Sequence, residues 1–266
     1  MEGGCGEPPG PGRSTLYASM PGRPATPLGR AEPAPLMPAQ DAPLVWLFDV
    51  DGTLIVTDGA AREAFSGALL EVAGLVDDLS RVSFGGNTDP RILQQLLGLH
   101  GLTWDQATRD RFWRATYARM ATLLEPGRGR VLPGVRELLD RLDTEPGWVP
   151  ALLTGNSAEM ARIKLQHYGL ASRFRFGAFG DEAPDRDALA RLAVSRAGVA
   201  PRRCMVVGDT ELDIGCARAA GAWAVAVATG MRTRADLATH GPDLLLDDLA
   251  DPVPLIQFAR ALPAAV

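Results

Sequence analysis

Lysine is nearly absent from this sequence. Of 27 basic residues in 266, one is a lysine, Lys164, and the rest are arginines. No arginine run stands out and the formal net charge is -5, so nothing in the charge balance calls for nucleic acid or an anionic membrane as partner. Cysteine is scarce too, and Cys5, Cys204 and Cys216 lack metal-ligand spacing. Cys204 lies in an apolar strand-like run and Cys216 in a helix-like run, which suits small core residues better than ligands. The odd count and the lack of a secretory signal lead us to expect a reducing compartment and a cytoplasmic protein. No apolar run approaches the ~18 residues a membrane-spanning helix needs. The histidines, His100, His167 and His240, stand alone. His167 is expected to face a helix–helix or helix–sheet contact, and none is expected to act in chemistry.

What is present is an alternation of elements. Residues 1–43 are rich in Pro, Gly, Ala and Arg without periodicity and read as a disordered tail. Glu2, Glu7 and Glu32 argue against a transit peptide. Leu44 to Phe48 is continuously apolar and stops at Asp49, the pattern of a strand buried on both faces. Further strands are expected at 149–153, 204–207, 222–227 and 243–246, and helices at 134–142, 158–168, 186–197 and 212–219. Strand and helix in alternation predict an α/β fold with a doubly wound parallel sheet. About a hundred residues separate the first two strands, far more than one crossover needs. Within them, 60–72, 89–97 and 104–124 read as helices. We therefore expect a catalytic core from 44–57 and 131–266, with 58–130 as an all-helical insert.

Three short motifs end predicted strands, where ligands collect in an open α/β sheet. The first is Asp49-Val50-Asp51-Gly52-Thr53-Leu54. Two carboxylates one residue apart can divide the work of nucleophile and proton carrier, and Gly52 lets the chain turn away. By itself the pattern reads equally well as an acidic turn. The second is Thr154-Gly155-Asn156, where a hydroxyl and the N–H groups opening a helix can donate to phosphate oxygens. Alone, a plain helix cap explains it better. The third is Gly208-Asp209-Thr210-Glu211-Leu212-Asp213, whose two aspartates can hold a hard cation. The competing reading makes Asp209 an N-cap and Asp213 a partner of the helix dipole. A phosphate among carboxylates also needs a fixed positive charge. Arg186, opening a helix, is the candidate, with a surface arginine as the alternative. Lys164 is nearly two turns into the helix after Thr154, roughly ten ångströms from the pocket by helical rise, and is expected to play no part.

Taken together, the order of these motifs resembles the haloacid dehalogenase-like superfamily over residues 44 to about 250. Ala217 to Gly221, after the last aspartate, resembles the usual continuation, and the insert lies where that family places a helical cap of the C1 type. The resemblance implies a Rossmann-like core and a Mg2+-dependent phosphatase of small phosphorylated metabolites, working through an aspartyl-phosphate. It further implies roles by position. Asp49 would be the nucleophile and Asp51 the general acid and base. Thr154 would bind the transferring phosphoryl group, with Gly155 and Asn156 beside it. Arg186 would replace the usual lysine. Mg2+ would bind the Asp49 carboxylate, the Asp51 backbone carbonyl and Asp209, with Asp213 supporting that shell.

Other activities remain in view. Asp51 speaks against dehalogenases and phosphonate hydrolases of the superfamily, which lack an aspartate there. A phosphomutase resembling β-phosphoglucomutase keeps all the motifs, and a non-catalytic binding protein would be expected to have lost Asp49 or Asp51. Gly85-Gly86-Asn87-Thr88-Asp89 resembles a Gly-rich segment of phosphoglycolate phosphatase-like enzymes. The arginine in place of lysine leaves the substrate open, and the sequence does not set the oligomeric state.

Overall fold

The computed structural model describes residues 42–263. The disordered tail expected over 1–43, and Cys5 in it, lie almost wholly outside those residues. Of its last two, Ala42 is buried, and its carbonyl accepts hydrogen bonds from Arg203.

Six strands form one parallel sheet. β1 (Leu44–Phe48) sits inside it, between β4 (Trp148–Thr154) and β6 (Cys204–Gly208). Outside β4 lies β5 (Gly177–Phe179), and outside β6 lie β7 (Trp223–Val227) and β8 (Leu244–Leu246), giving the order β5-β4-β1-β6-β7-β8. The chain thus winds outward from β1 in one direction and then in the other, so the strand order reverses beside β1.

Alternation along β1 sends Leu44, Trp46 and Phe48 to one face and Val45 and Leu47 to the other. The first face packs α4 (Val135–Thr144), α5 (Ala158–His167) and α9 (Val253–Ala261) through Leu138, Leu142, Met160, Leu165 and Leu255. The second packs α6 (Arg186–Ala197), α7 (Glu211–Ala219) and α8 (Arg234–Thr239) through Leu189, Ala193, Ile214, Ala217 and Leu237. This is the doubly wound α/β fold expected from the alternation. Cys204 and Cys216 are buried in the second core.

The long segment between β1 and β4 contains three helices: α1 (Ala60–Ala73), α2 (Asp89–Leu99) and α3 (Gln106–Leu123). The chain leaves and returns through an antiparallel pair, β2 (Ile55–Val56) and β3 (Arg130–Val131). The Tyr168 hydroxyl lies in donor range of the carbonyls of Val56, in β2, and of Arg128, just before β3, tying the connection to the core. The helices are held by aromatic edges: Phe65 lies 5.5 Å from Phe84, 5.6 Å from Phe112 and 5.7 Å from Trp113. Each such pair adds roughly 0.5–1.5 kcal/mol beyond area burial.

Expected and observed element ends agree to within two residues in the main sheet. The short strands β2, β3 and β5 and the helices α8 and α9 were not foreseen. His167 is exposed rather than packed, because the buried stripe of α5 runs through Met160, Ala161, Lys164 and Leu165. His100 is not isolated, since its Nε2 lies 2.8 Å from Asp77 Oδ2.

Candidate active site

The carboxyl ends of β1, β4 and β6 open into a cavity of about 460 Å3, lined by Asp49, Asp51, Gly155, Asn156, Arg186 and Asp209 among others. The helical segment closes its other side with Arg62, Phe84, Asn87, Asp89 and Ile92. Of the residues singled out from the sequence, Thr154 and Asp213 do not border the cavity: both are buried just behind it.

Asp49 follows β1 directly, its N–H donating to the Val207 carbonyl of β6. Burial raises its carboxyl above the ordinary range. The Arg186 guanidinium pulls it back, and the neighbouring Asp51 pushes it up again. Asp209 is pushed up to about 7, chiefly by burial and then by Asp49, against a hydrogen bond from the Thr53 hydroxyl at 3.2 Å. Two carboxylates that resist ionising side by side are suited to sharing a cation.

The surroundings fit one. Asp49, Asp209 and Asp213 each offer a carboxylate oxygen within 4.8 Å of the others. The backbone draws back from Asp209: a Cβ on Gly52, which has φ +80°, would meet its carboxylate at 2.5 Å, and one on Gly230 at 1.7 Å. Asp213 is already engaged. Its Oδ2 accepts from the Thr210 N–H and hydroxyl in a capping box, and its Oδ1 accepts from Arg186. It can therefore support the cation site by fixing α7 and Arg186. Thr210, not Asp209, is the N-cap of α7.

Arg186 is buried at the start of α6, with Nη1 3.6 Å from Asp49 Oδ1 and Nη2 bonded to Asp213. Burial opposes its charge, but Asp49 and Asp209 outweigh that, and its pKa is raised. Nε and Nη1 have no hydrogen-bond partner among the described residues, although the Cys216 sulfur borders the guanidinium. Buried N–H groups left without an acceptor are costly, and Arg186 is the arginine of the core that borders the cavity beside Asp49.

Lys164 corrects the sequence reading. Its Nζ lies 2.8 and 2.6 Å from the two carboxylate oxygens of Asp51 and 2.6 Å from Asn156 Oδ1, and the residue lines the cavity. The helical rise measured its backbone position correctly but left out its side chain. A helix Cα–Cβ bond points back toward the N-terminus, and four methylenes carry the ammonium across that distance. The Asn156 side chain is engaged as well, its amide donating to Asp51 Oδ2 and to the Thr154 hydroxyl, each at 2.8 Å.

The Gly-rich segment of the insert also meets this site. The Asp89 N–H donates to the Gly155 carbonyl, and Asp89 Oδ2 accepts from the Ser157 N–H at 2.7 Å and its hydroxyl at 2.9 Å. A Cβ on Gly155 would lie 2.1 Å from the Asn87 carbonyl oxygen, so the contact needs glycine there. Tyr117 of α3 donates to the Ser157 hydroxyl at 2.9 Å. Burial holds the Asp89 carboxyl up at about 6.

These strand-end carboxylates, in this order, agree with the comparisons. The model for haloacid dehalogenase-like hydrolases matches residues 45–221. The chain belongs to that family. It is 30% identical over 222 residues to the phosphoglycolate phosphatase of Pseudomonas savastanoi pv. phaseolicola, covering 80% of this chain and 79% of the relative. It is 30% identical over 213 residues to that of Cereibacter sphaeroides strain ATCC 17025, covering 77% and 95%. A crystal structure described as a predicted phosphoglycolate phosphatase from Haemophilus somnus 129pt superposes with a TM-score of 0.64 at 23% identity, covering 82% of this chain and 99% of that one, which shows the shared fold. Among the described residues, no helix of this hydrolase is long and apolar enough to cross a membrane.

Proposed function

We propose that this hydrolase is a Mg2+-dependent phosphatase of small phosphorylated metabolites, working through an aspartyl-phosphate on Asp49. One observation carries the reading: two carboxylates of one loop, Asp49 and Asp51, line a cavity together with buried Arg186, two of whose N–H groups lack a hydrogen-bond partner among the described residues. That is a nucleophile, a proton carrier and an anion site in one place.

In the first step an Asp49 oxygen attacks phosphorus. The bond to the ester oxygen breaks as Asp51, in its carboxylic acid form, gives that oxygen a proton. In the second step Asp51 takes a proton from water, the water oxygen attacks phosphorus, and the phosphorus–oxygen bond to Asp49 breaks. Inorganic phosphate leaves and both aspartates return to their starting forms. Arg186 supplies donors to the phosphoryl oxygens while pairing with Asp213, so its own position is fixed. The Thr154 hydroxyl, which accepts from the Asn156 amide, helps fix Asn156 beside Asp51. Mg2+ held by Asp49, Asp209 and the Asp51 carbonyl would offset the repulsion between a dianionic phosphate and the carboxylates.

We read 58–130 as a cap that selects substrates. The volume of the cavity falls in the range of small-ligand sites. Phosphoglycolate, which gives the curated relatives their name, is the first substrate to test. We place the enzyme in the cytoplasm on its cysteine usage. The deciding experiment is phosphate release from a metabolite panel that includes 2-phosphoglycolate, with Mg2+ and after chelation. Mg2+-dependent release, lost in Asp49→Asn, is expected. Release that survives chelation contradicts the metal assignment, and isomerised sugar phosphate formed with a bisphosphate activator would make the protein a mutase.

A further inference from the structure

We infer that Lys164 is a positioning residue that holds the Asp51 side chain in place for both halves of the reaction, an inference that rests on the phosphatase reading above. The argument begins with burial. Lys164 is 2% exposed, and a charge so deep persists only when fully paired. Its pairing is complete: an ammonium has three donors, and three acceptors lie within 2.8 Å, two on Asp51 and one on Asn156. No N–H is left for a phosphoryl oxygen, in contrast to Arg186, whose Nε and Nη1 have no hydrogen-bond partner among the described residues. The two cations therefore have different tasks. Arg186 faces the anion, and Lys164 faces the proton carrier.

Asp51 needs such a partner. Its side chain is 40% exposed at the edge of the cavity, where an unrestrained carboxylate would turn among rotamers in contact with water. Asn156 completes the restraint. It donates to Asp51 and Thr154 and accepts from Lys164. One chain of contacts thus ties the Asp51 side chain to Lys164 of α5 and to Thr154 at the end of β4. The geometry suits lysine: a compact ammonium with three rotatable donors meets acceptors on two residues, whereas a planar guanidinium fork suits one carboxylate edge-on. This is the position where a chain otherwise built with arginine keeps its single lysine.

A double-mutant cycle tests this, with p-nitrophenyl phosphate as the probe at saturating Mg2+. Lys164→Met, close in length and without charge, should lower kcat by about 30-fold or more and leave KM within about threefold, as expected for a misplaced reacting group. In an Asp51→Asn background the same change should cost less than about threefold, because the residue it positions is gone. Equal losses in the two backgrounds, or a loss carried by KM, would overturn the inference and make Lys164 a structural tie or a phosphate ligand. If Lys164→Met does not fold by thermal melting, Lys164→Gln carries the same cycle. A wild-type protein that turns over no phosphomonoester would instead overturn the phosphatase reading itself.

Discussion

The core and the insert use different physics to build two sides of one cavity. On the core side, charged groups stand at strand ends, and their environment is electrostatic: Asp49 and Asp209 are raised by burial, and Arg186 is clamped between Asp49 and Asp213. On the insert side, packing is aromatic, centred on Phe65, Phe84 and Phe112, and polar contacts reaching the core include those of Asp89 and Tyr117, which meet at Ser157. Strand ends are fixed by the sheet ladder, so reacting groups there are held rigidly. Helices joined by two short strands can move as a unit, which suits a substrate gate. Damage to the core side should therefore abolish chemistry, and damage to the insert should redistribute it among substrates.

The largest effect is expected from Asp49→Asn, which should lower kcat by about four orders of magnitude or more. The midpoint of thermal unfolding without metal should stay the same or rise, because a buried carboxylate that resists ionisation has been neutralised. Loss of the cooperative transition along with activity would instead report unfolding. Arg186→Ala comes next, with about two or more orders of magnitude lost in turnover at saturating Mg2+, the scale for removing a transition-state donor. A smaller loss than from Lys164→Met would reverse the division of labour between the two cations.

Replacing 58–130 by a short linker should sharpen the contrast. Turnover of a preferred metabolite should fall at least about tenfold further than that of p-nitrophenyl phosphate, which needs little selection. Equal losses would leave the insert a purely structural element.

The smallest effect concerns Asp89, at the junction of the two sides. Its folded pKa of about 6 lies above the ordinary aspartate value of 3.8, so between those values the folded state holds the extra proton. Stability contributed at low pH is then lost as pH rises from about 4 through about 6, by an amount on the order of 3 kcal/mol. Asp89→Asn keeps an oxygen for Ser157 and does not ionise. Urea unfolding in EDTA at pH 4.5 and 7 should show a shallower decline for the variant than for the wild type. An unchanged decline would show that other carboxylates, such as Asp209, carry it.

The sequence was most legible where regular structure sets position. A buried apolar run ending at Asp49 locates that residue at a strand end, and the same logic places Thr154 and Asp209, so three distant segments could be brought together from one dimension. Short elements were not legible: β2 and β3 have two residues each and β5 three, too few to show a period. Lys164 was lost for a different reason. A Cα distance is a poor guide for the longest flexible side chains, and the buried stripe of α5, which holds Lys164 between Ala161 and Leu165, was the signal that could have recovered it. Asp89 stood in a recognised segment, but its bonds to Ser157 depend on how the insert docks, which no local pattern encodes.

The measurement that bears most directly on the account is mass spectrometry of acid-quenched enzyme during turnover of a substrate with Mg2+. The account predicts a phosphoryl group on the peptide carrying Asp49, labile at alkaline pH and absent in Asp49→Asn. A phosphoryl group on a hydroxyl such as Ser157, or turnover with no phosphorylated enzyme at any quench time, would contradict it.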